Sequence, residues 1–123
     1  MEKKSATALE HAVADFFSKL GWKIQFTPTV GDGGIDLVMI KNNQTVLVQC
    51  KGLKTKTGVS VVRDAAGVNS IQKPSKFIVI SPNGFTSGSI EFAKISKITL
   101  FDWKSLRSQA QKRINEINNE KKT

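Results

Sequence analysis

The chain has 123 residues, 39% of them hydrophobic, so it can bury the core of one domain and is too short for two comfortable ones. Nineteen Lys and Arg against ten Asp and Glu give a formal charge of +9, which favours a polyanion, first of all nucleic acid, as partner. No apolar run approaches the roughly 20 residues that span a bilayer, and the N-terminus lacks the apolar core of a secretion signal, so we expect an intracellular protein without a membrane segment.

Hydrophobic periodicity predicts helices and strands in the order αβββαβαβα. The two strands of a β-hairpin flank Asn42-Asn43, and Ser60 is the expected N-cap of the second helix. The other predicted bounds are a helix over 5–20, a strand over 22–29, a helix over 60–72, a strand over 76–81, a helix over 89–96, a strand over 97–101, and a helix from 104 that frays into a solvated tail at 118–122.

This order predicts an α/β fold in which helices flank a central mixed β-sheet. The hairpin supplies antiparallel strands, whereas later strands are each reached through a helix and are expected to run parallel to their neighbours. We expect residues 1–123 to form one domain, with a core over about 5–106 and a C-terminal helix and basic tail over 107–123.

The predicted hairpin brings chemically active side chains together at its open end. With Asn42-Asn43 at the turn, Asp36 is expected opposite Gln49, and Lys51 lies diagonally on the same face. The opposite face is expected to pack against the core through Ile35, Leu37, Met39, Val46, Val48 and Cys50.

Two further acids lie close to this constellation in the prediction. Glu10 projects from the first helix on the side that faces the sheet, where a carboxylate needs a partner such as a metal or Lys51. Asp32 belongs to a Gly-Asp-Gly-Gly segment, and turn formation is its expected role.

Glu10, Asp36 and Gln49 offer oxygen atoms suited to a hard cation such as Mg²⁺, for which Mn²⁺ is expected to substitute. Lys51 supplies an ammonium that can orient a water or stabilise charge on a phosphate. Together, these oxygen ligands and the ammonium group suit the hydrolysis of a phosphodiester bond.

Glu10, the segment Asp-Gly-Gly-Ile-Asp ending at Asp36, and the segment Val-Gln-Cys-Lys ending at Lys51 resemble the PD-(D/E)XK nuclease superfamily, most closely the catalytic domain of Mrr-like restriction endonucleases. The resemblance continues through Val62-Arg63-Asp64, Gly84-Phe85-Thr86 and Leu100-Phe101-Asp102-Trp103, so it covers about residues 5–106.

The resemblance implies a restriction-endonuclease-like fold and assigns roles. Asp36 becomes the metal-binding acid, Lys51 the catalytic lysine, and the backbone carbonyl of Cys50 a further metal ligand. Glu10 matches the acid of the first helix, acting directly or through a metal-bound water. Gln49 stands where most of the superfamily has Glu or Asp. A glutamine at this position agrees with the Mrr-like proteins.

Lysines beside the site predict contacts with DNA phosphates. Lys54 and Lys56 follow Lys51, and Arg63 lies early in the next helix, although a solvated loop is the competing interpretation. Trp22 and Trp103 have apolar neighbours and are expected to pack at the core or its edge. No helix resembles a base-reading recognition helix.

The sequence therefore predicts a metal-dependent DNA endonuclease that acts in the cytoplasm of a prokaryote, as a host, phage or mobile-element protein. Two alternatives stay open: a Holliday-junction resolvase of the same fold, and a nucleic-acid-binding module without catalysis. A homodimer is expected by analogy, since cutting both strands of a duplex usually requires two active sites.

Overall fold

The computed structural model describes residues 6–27 and 34–121. Its element order confirms the predicted αβββαβαβα arrangement, and the strand over 76–81 has the predicted bounds. The elements are α1 (Ala8–Lys19), β1 (Lys23–Phe26), β2 (Leu37–Lys41), β3 (Gln44–Cys50), α2 (Val59–Gln72), β4 (Lys76–Ser81), α3 (Ser87–Ser96), β5 (Thr99–Asp102) and α4 (Trp103–Lys121).

The five strands form one sheet in the order β1-β2-β3-β4-β5. The pairs β1–β2 and β2–β3 are antiparallel, whereas β3–β4 and β4–β5 are parallel, as the connections predicted. The carboxyl ends of β3, β4 and β5 therefore lie at one edge of the sheet, together with the start of β2.

Buried side chains form one apolar cluster on each face of the sheet. Leu37, Val48 and Trp103 belong to the cluster under α1 and α4. Leu47 and Val79 belong to the other cluster, under α2 and α3. Trp22 also packs at the margin of the first cluster, so both tryptophans pack as predicted.

The hairpin turn forms at Asn42-Asn43. Both residues have positive φ, 51° and 66°, which asparagine tolerates and which a two-residue hairpin turn of the primed type requires. The resulting register pairs Lys41 with Gln44 and Val38 with Leu47, as the sequence predicted.

Most bounds differ from the predicted ones by a few residues, and two of the differences concern how a helix begins or ends. Gly58, rather than Ser60, is the N-cap of α2, because the backbone of Thr57 is bonded to Gly84 and the chain enters the helix directly after this anchor. The tail predicted to fray at 118–122 is helical as far as Lys121. No helix in residues 6–27 and 34–121 is long and apolar enough to cross a bilayer.

Candidate active site

Asp36 leaves the regular strand through a β-bulge. Its backbone N donates to the carbonyl oxygen of Val48 over 2.8 Å, while Leu37 is paired with the same Val48. Two successive residues thus face one residue of β3, which is the pattern of a bulge. The pairing predicted between Asp36 and Gln49 is therefore wrong, because the regular ladder ends one residue earlier.

The bulge changes which side chains share a face. Ile35 packs in the cluster under α2 and α3, whereas Leu37 packs under α1. The prediction that Ile35 shares the face of Leu37 is wrong, because the extra residue interrupts the alternation between them. Bulges are frequent beside active sites, where they redirect a side chain, and the redirected side chain here is that of Asp36.

The Asp36 carboxylate is fixed at the end of β3. Only 7% of Asp36 is exposed, and its Oδ2 accepts a hydrogen bond of 2.8 Å from the backbone N of Cys50. A backbone donor orients the carboxylate without neutralising its charge. One side of the group is thereby anchored to β3, which carries Gln49 and is followed directly by Lys51.

Thr27, the residue after β1, holds the bulge in place. Its hydroxyl donates to the carbonyl oxygen of Ile35 over 2.7 Å and lies 3.3 Å from that of Asp36, and its backbone N donates to the Asp36 carbonyl over 3.0 Å. These bonds fix the main chain on both sides of the Cα atom of Asp36. Thr27 is therefore a positioning residue for the acid.

Glu10 approaches Asp36 from the first turn of α1. It is 3% exposed, and it forms a capping box in which its Oε2 accepts from Thr7 N over 2.9 Å and its own N donates to Thr7 Oγ1 over 3.1 Å. The prediction that Glu10 faces the sheet is confirmed. The capping box means that Glu10 also stabilises the start of the helix.

Glu10 and Asp36 line one small cavity of about 10 Å³, together with Ala6, Phe26 and Thr27. This volume is close to the minimum that holds one water molecule. Two buried carboxylates around one cavity repel each other, and a cation between them would offset that repulsion. The described lining of the cavity includes neither Gln49 nor Lys51.

Gln49 lies against Gly34. Val48 and Cys50 face the cluster under α1 and α4. Because side chains alternate along β3, the side chain of Gln49 lies on the opposite face of the sheet. A Cβ atom built on Gly34 would stand 2.5 Å from Gln49 Nε2, and Gly34 has a φ of 80°, which favours glycine. Gly34 thus provides the space that the amide fills.

The amide oxygen of Gln49 is an exception to the usual pairing of buried polar atoms. Gln49 is 4% exposed, and within the described part of the chain its Oε1 is buried and has no hydrogen-bond partner. Leaving such an atom unpaired costs about 1–3 kcal/mol. A cation is one group that would satisfy it.

Lys51 follows β3 directly and continues its pairing with β4, since its backbone N donates to Ile80 O over 2.9 Å. Alternation places its side chain on the side of Gln49. Lys54 and Lys56 are exposed on the loop that follows. The guanidinium of Arg63, on α2, lies 5.9 Å from the ring centre of Phe92 on α3.

The residues at the end of β3 fit a hard divalent cation. Among residues 6–27 and 34–121, no three His, Cys, Asp or Glu side chains are grouped as a metal-binding cluster. A cation would therefore depend on the Glu10–Asp36 pair, an amide or backbone oxygen, and water. Mg²⁺ suits such a set, because it binds few protein carboxylates and keeps several waters.

Two residues of this site were absent from the sequence prediction. Thr27 follows β1 directly and carries no motif, so only the bulge reveals its role. Gly34 was noted as part of a turn, whereas its contact with Gln49 depends on the folded register. Asp32, for which a turn role was predicted, lies outside the described residues.

The sequence also matches a known protein family. The family model Mrr_cat, described as restriction endonuclease, matches residues 1–109. None of the curated proteins compared with the chain matches it significantly.

Two solved structures share the fold. The first is a protein of unknown function, AF1548, with a TM-score of 0.65, 16% identity, and coverage of 75% of this chain and 55% of that chain. The second is the MspJI restriction endonuclease in complex with a 27-mer oligonucleotide, with a TM-score of 0.52, 13% identity, and coverage of 76% of this chain and 23% of that chain. The chain thus spans about half the length of one neighbour and about a quarter of the other.

Proposed function

Because this chain belongs to the Mrr_cat restriction endonuclease family, whose members are nucleases of the PD-(D/E)XK type, we propose that it is a metal-dependent endonuclease that hydrolyses phosphodiester bonds in DNA. The observation that carries the proposal is the convergence of two buried carboxylates, Glu10 and Asp36, on one cavity at the end of β3. Lys51 follows that strand directly, so acid and ammonium groups come from adjacent segments.

Asp36 and Glu10 would hold Mg²⁺, with Gln49 Oε1 and the Cys50 carbonyl as further ligands, and Mn²⁺ would substitute. Gln49 is included because its buried oxygen has no partner in the described part of the chain. When bound, the cation polarises a phosphate oxygen and lowers the pKa of a coordinated water. A neutral amide contributes less charge than a third carboxylate, so the carboxylate pair carries most of the affinity.

The protein groups supply orientation and charge. The Cys50 N–H group holds one oxygen of Asp36, and the Thr7 N–H group holds one oxygen of Glu10, so both carboxylates are oriented before any ligand binds. The Lys51 ammonium would orient the attacking water and stabilise the negative charge that builds on the phosphate. Preorganised groups of this kind lower the barrier because they need little rearrangement during the reaction.

DNA is the proposed substrate because the chain is strongly basic and the site is flanked by cations. The formal charge of +9 favours binding to a phosphate backbone. Lys54, Lys56 and Arg63 are exposed near the carboxyl edge of the sheet, where they would contact phosphates. The neighbour MspJI is an endonuclease described in complex with an oligonucleotide. Two copies would be needed to cut both strands at once, so we also propose a homodimer.

The test is cleavage of supercoiled plasmid, linear duplex, single strand and four-way junction, with and without Mg²⁺. Asp36→Ala and Lys51→Ala should each lower the rate at least about 100-fold, since a charge that stabilises the transition state is lost. Asp15→Ala and Lys76→Ala are matched controls, because both residues are exposed and neither lines the Glu10–Asp36 cavity. Both controls should cleave at the wild-type rate.

The outcomes separate the alternatives. Activity that persists in both Asp36→Ala and Lys51→Ala would remove the proposed site. Preferential nicking of the four-way junction would identify a resolvase, and salt-sensitive binding without cleavage in Mg²⁺ or Mn²⁺ would identify a binding module.

A further inference from the structure

A second cleft opens on the same edge of the sheet as the candidate active site. Its volume is about 520 Å³, within the range of ligand-binding clefts. One end of it lies at the carboxyl ends of β4 and β5, at Asn83 and Asp102, and it extends along α3 to Ile98, which precedes β5. We call it the β4–β5 cleft. Its apolar wall includes Phe85, Ile90, Ala93, Ile98 and Leu100.

The polar groups at the rim fall into two sets. Asn83 and Asp102 are engaged in holding the walls: Asn83 donates to Leu53 O over 2.6 Å and accepts from Lys104 Nζ over 3.0 Å, and Asp102 Oδ1 accepts from Lys104 N over 3.1 Å. Lys56 and Lys94 are exposed lining residues. The exposed charged residues of the lining are therefore lysines, Asp102 is half-buried, and the interior is apolar.

The register of the sheet gives the separation from the active site. Cys50 is paired with Ile80, and Ile80 with Phe101, so these three residues form a row across β3, β4 and β5. Neighbouring strands are about 4.8 Å apart, so the end of β5 lies roughly 10 Å from the end of β3. One or two nucleotides of an unstacked strand can span such a distance.

The loop after β3 physically connects the two places. It leaves Lys51 and ends at Thr57, whose N donates to Gly84 O over 2.9 Å and whose hydroxyl donates to Ser81 Oγ over 3.1 Å. Lys56 is therefore held at the rim of the cleft by the residue that follows it. A DNA strand that crosses Lys51 would continue along this loop toward the cleft.

We propose that the β4–β5 cleft binds one unpaired base of the DNA strand whose phosphate lies at Lys51, with Lys56 and Lys94 contacting the flanking phosphates. This inference rests on the proposed function. An apolar wall accepts the flat face of any base, and lysines at the rim contact phosphates without reading sequence. Because a base inside a duplex must leave its stack to enter, the preferred substrate is single-stranded or locally unpaired DNA.

Two substitutions on α3 test the cleft by filling it or leaving it open. Ile90 is 44% exposed and lines the cleft, whereas Ile95 is 79% exposed on the same helix and is not part of the lining. Ile90→Trp should weaken binding of a short single-stranded oligonucleotide about tenfold, and Ile95→Trp should bind as the wild type does. Binding is measured by fluorescence anisotropy without added metal, so the readout does not depend on cleavage.

A second measurement uses the wild-type protein and needs no variant. One abasic nucleotide is moved along the shortest oligonucleotide that binds, so that only one binding register is available, and the affinity is measured for each position. A single position should weaken binding about tenfold, and this position should lose its effect in Ile90→Trp. A uniform profile, or equal binding by Ile90→Trp and Ile95→Trp, would overturn the cleft assignment.

The two proposals fail in different ways. If Mg²⁺-dependent cleavage occurs but the abasic profile is uniform, the nuclease assignment stands and the cleft assignment falls. If one abasic position matters but no cleavage occurs in Mg²⁺ or Mn²⁺, base binding stands and the proposed activity falls.

Discussion

The two ends of the β2–β3 hairpin belong to the same strands and differ in almost every physical respect. At the turn, Asn42 and Asn43 adopt the conformation that a short hairpin needs, and the ladder is regular from Lys41–Gln44 inward. At the open end the ladder stops at Leu37–Val48, the chain bulges, and two of the buried side chains, Asp36 and Gln49, are polar.

The turn end of the hairpin stabilises the fold, whereas the open end carries the candidate catalytic groups. The turn end defines the register, which directs apolar side chains to both clusters. The open end contains a buried acid and, within residues 6–27 and 34–121, a buried amide oxygen that has no hydrogen-bond partner. Leaving that oxygen unpaired costs free energy of folding. Strained or unsatisfied groups that persist in this way are concentrated at functional sites.

The substitution expected to disturb the open end most is Gly34→Ala. The new methyl group would meet Gln49 Nε2 at 2.5 Å, and the φ of 80° is unfavourable for alanine. We expect a loss of about 1–2 kcal/mol in the free energy of unfolding from the backbone alone. Displacement of Gln49 by about 1 Å should lower cleavage about 100-fold. Urea unfolding and plasmid cleavage measure the two effects.

Asn43→Gly at the other end of the hairpin is the matched control for Gly34→Ala. Glycine suits a positive φ, so the variant should keep the wild-type cleavage rate and change stability by less than about 1 kcal/mol. Wild-type cleavage by Gly34→Ala, at a denaturant concentration where it is folded, would show that the position of Gln49 does not matter.

Glu10→Gln tests whether the α1 acid serves chemistry or only the helix. The amide oxygen of glutamine can still accept the Thr7 N–H bond, so the capping box and the stability should be kept to within about 1 kcal/mol. The negative charge is lost, so the Mg²⁺ concentration for half-maximal cleavage should rise about tenfold.

The companion variant for Glu10→Gln is Thr7→Ala. It removes the N-cap and should cost about 1 kcal/mol in stability with a smaller change in metal dependence. If both variants keep the wild-type metal dependence, Glu10 is a capping residue alone.

The same contrast explains what the sequence could predict. The turn end follows from local rules: Asn-Asn between two alternating runs defines the register, and that register brings the start of β2 beside the end of β3. The inward direction of Glu10 likewise follows from helical spacing. These signals lie within a few residues of each other along the chain.

The open end depends on contacts that no local pattern encodes. The bulge at Asp36 interrupts strict alternation, and it lies where Thr27, the residue after β1, bonds to the main chain. The contact of Gly34 with Gln49 joins the segment before β2 to the end of β3. Period-two reasoning therefore placed Ile35 on the wrong face and paired Asp36 with the wrong partner.

Thr27→Val is the mildest test of the open end, because it removes one hydroxyl and keeps the shape of the side chain. The Ile35 carbonyl loses a bond of 2.7 Å, which should cost about 1 kcal/mol in stability. The backbone bond from Thr27 N to Asp36 O remains, so the bulge should loosen and persist. Thr27→Ser keeps the hydroxyl and should restore wild-type behaviour.

The informative readout for Thr27→Val is the metal dependence of cleavage. A looser Asp36 main chain should raise the Mg²⁺ concentration for half-maximal rate a few-fold, with a smaller effect on the maximal rate at saturating metal. A residue that only stabilised the fold would lower the amount of active protein and leave this concentration unchanged. An unchanged metal dependence in Thr27→Val, combined with the expected loss of stability, would place Thr27 among the supports of the hairpin and outside the machinery that positions Asp36.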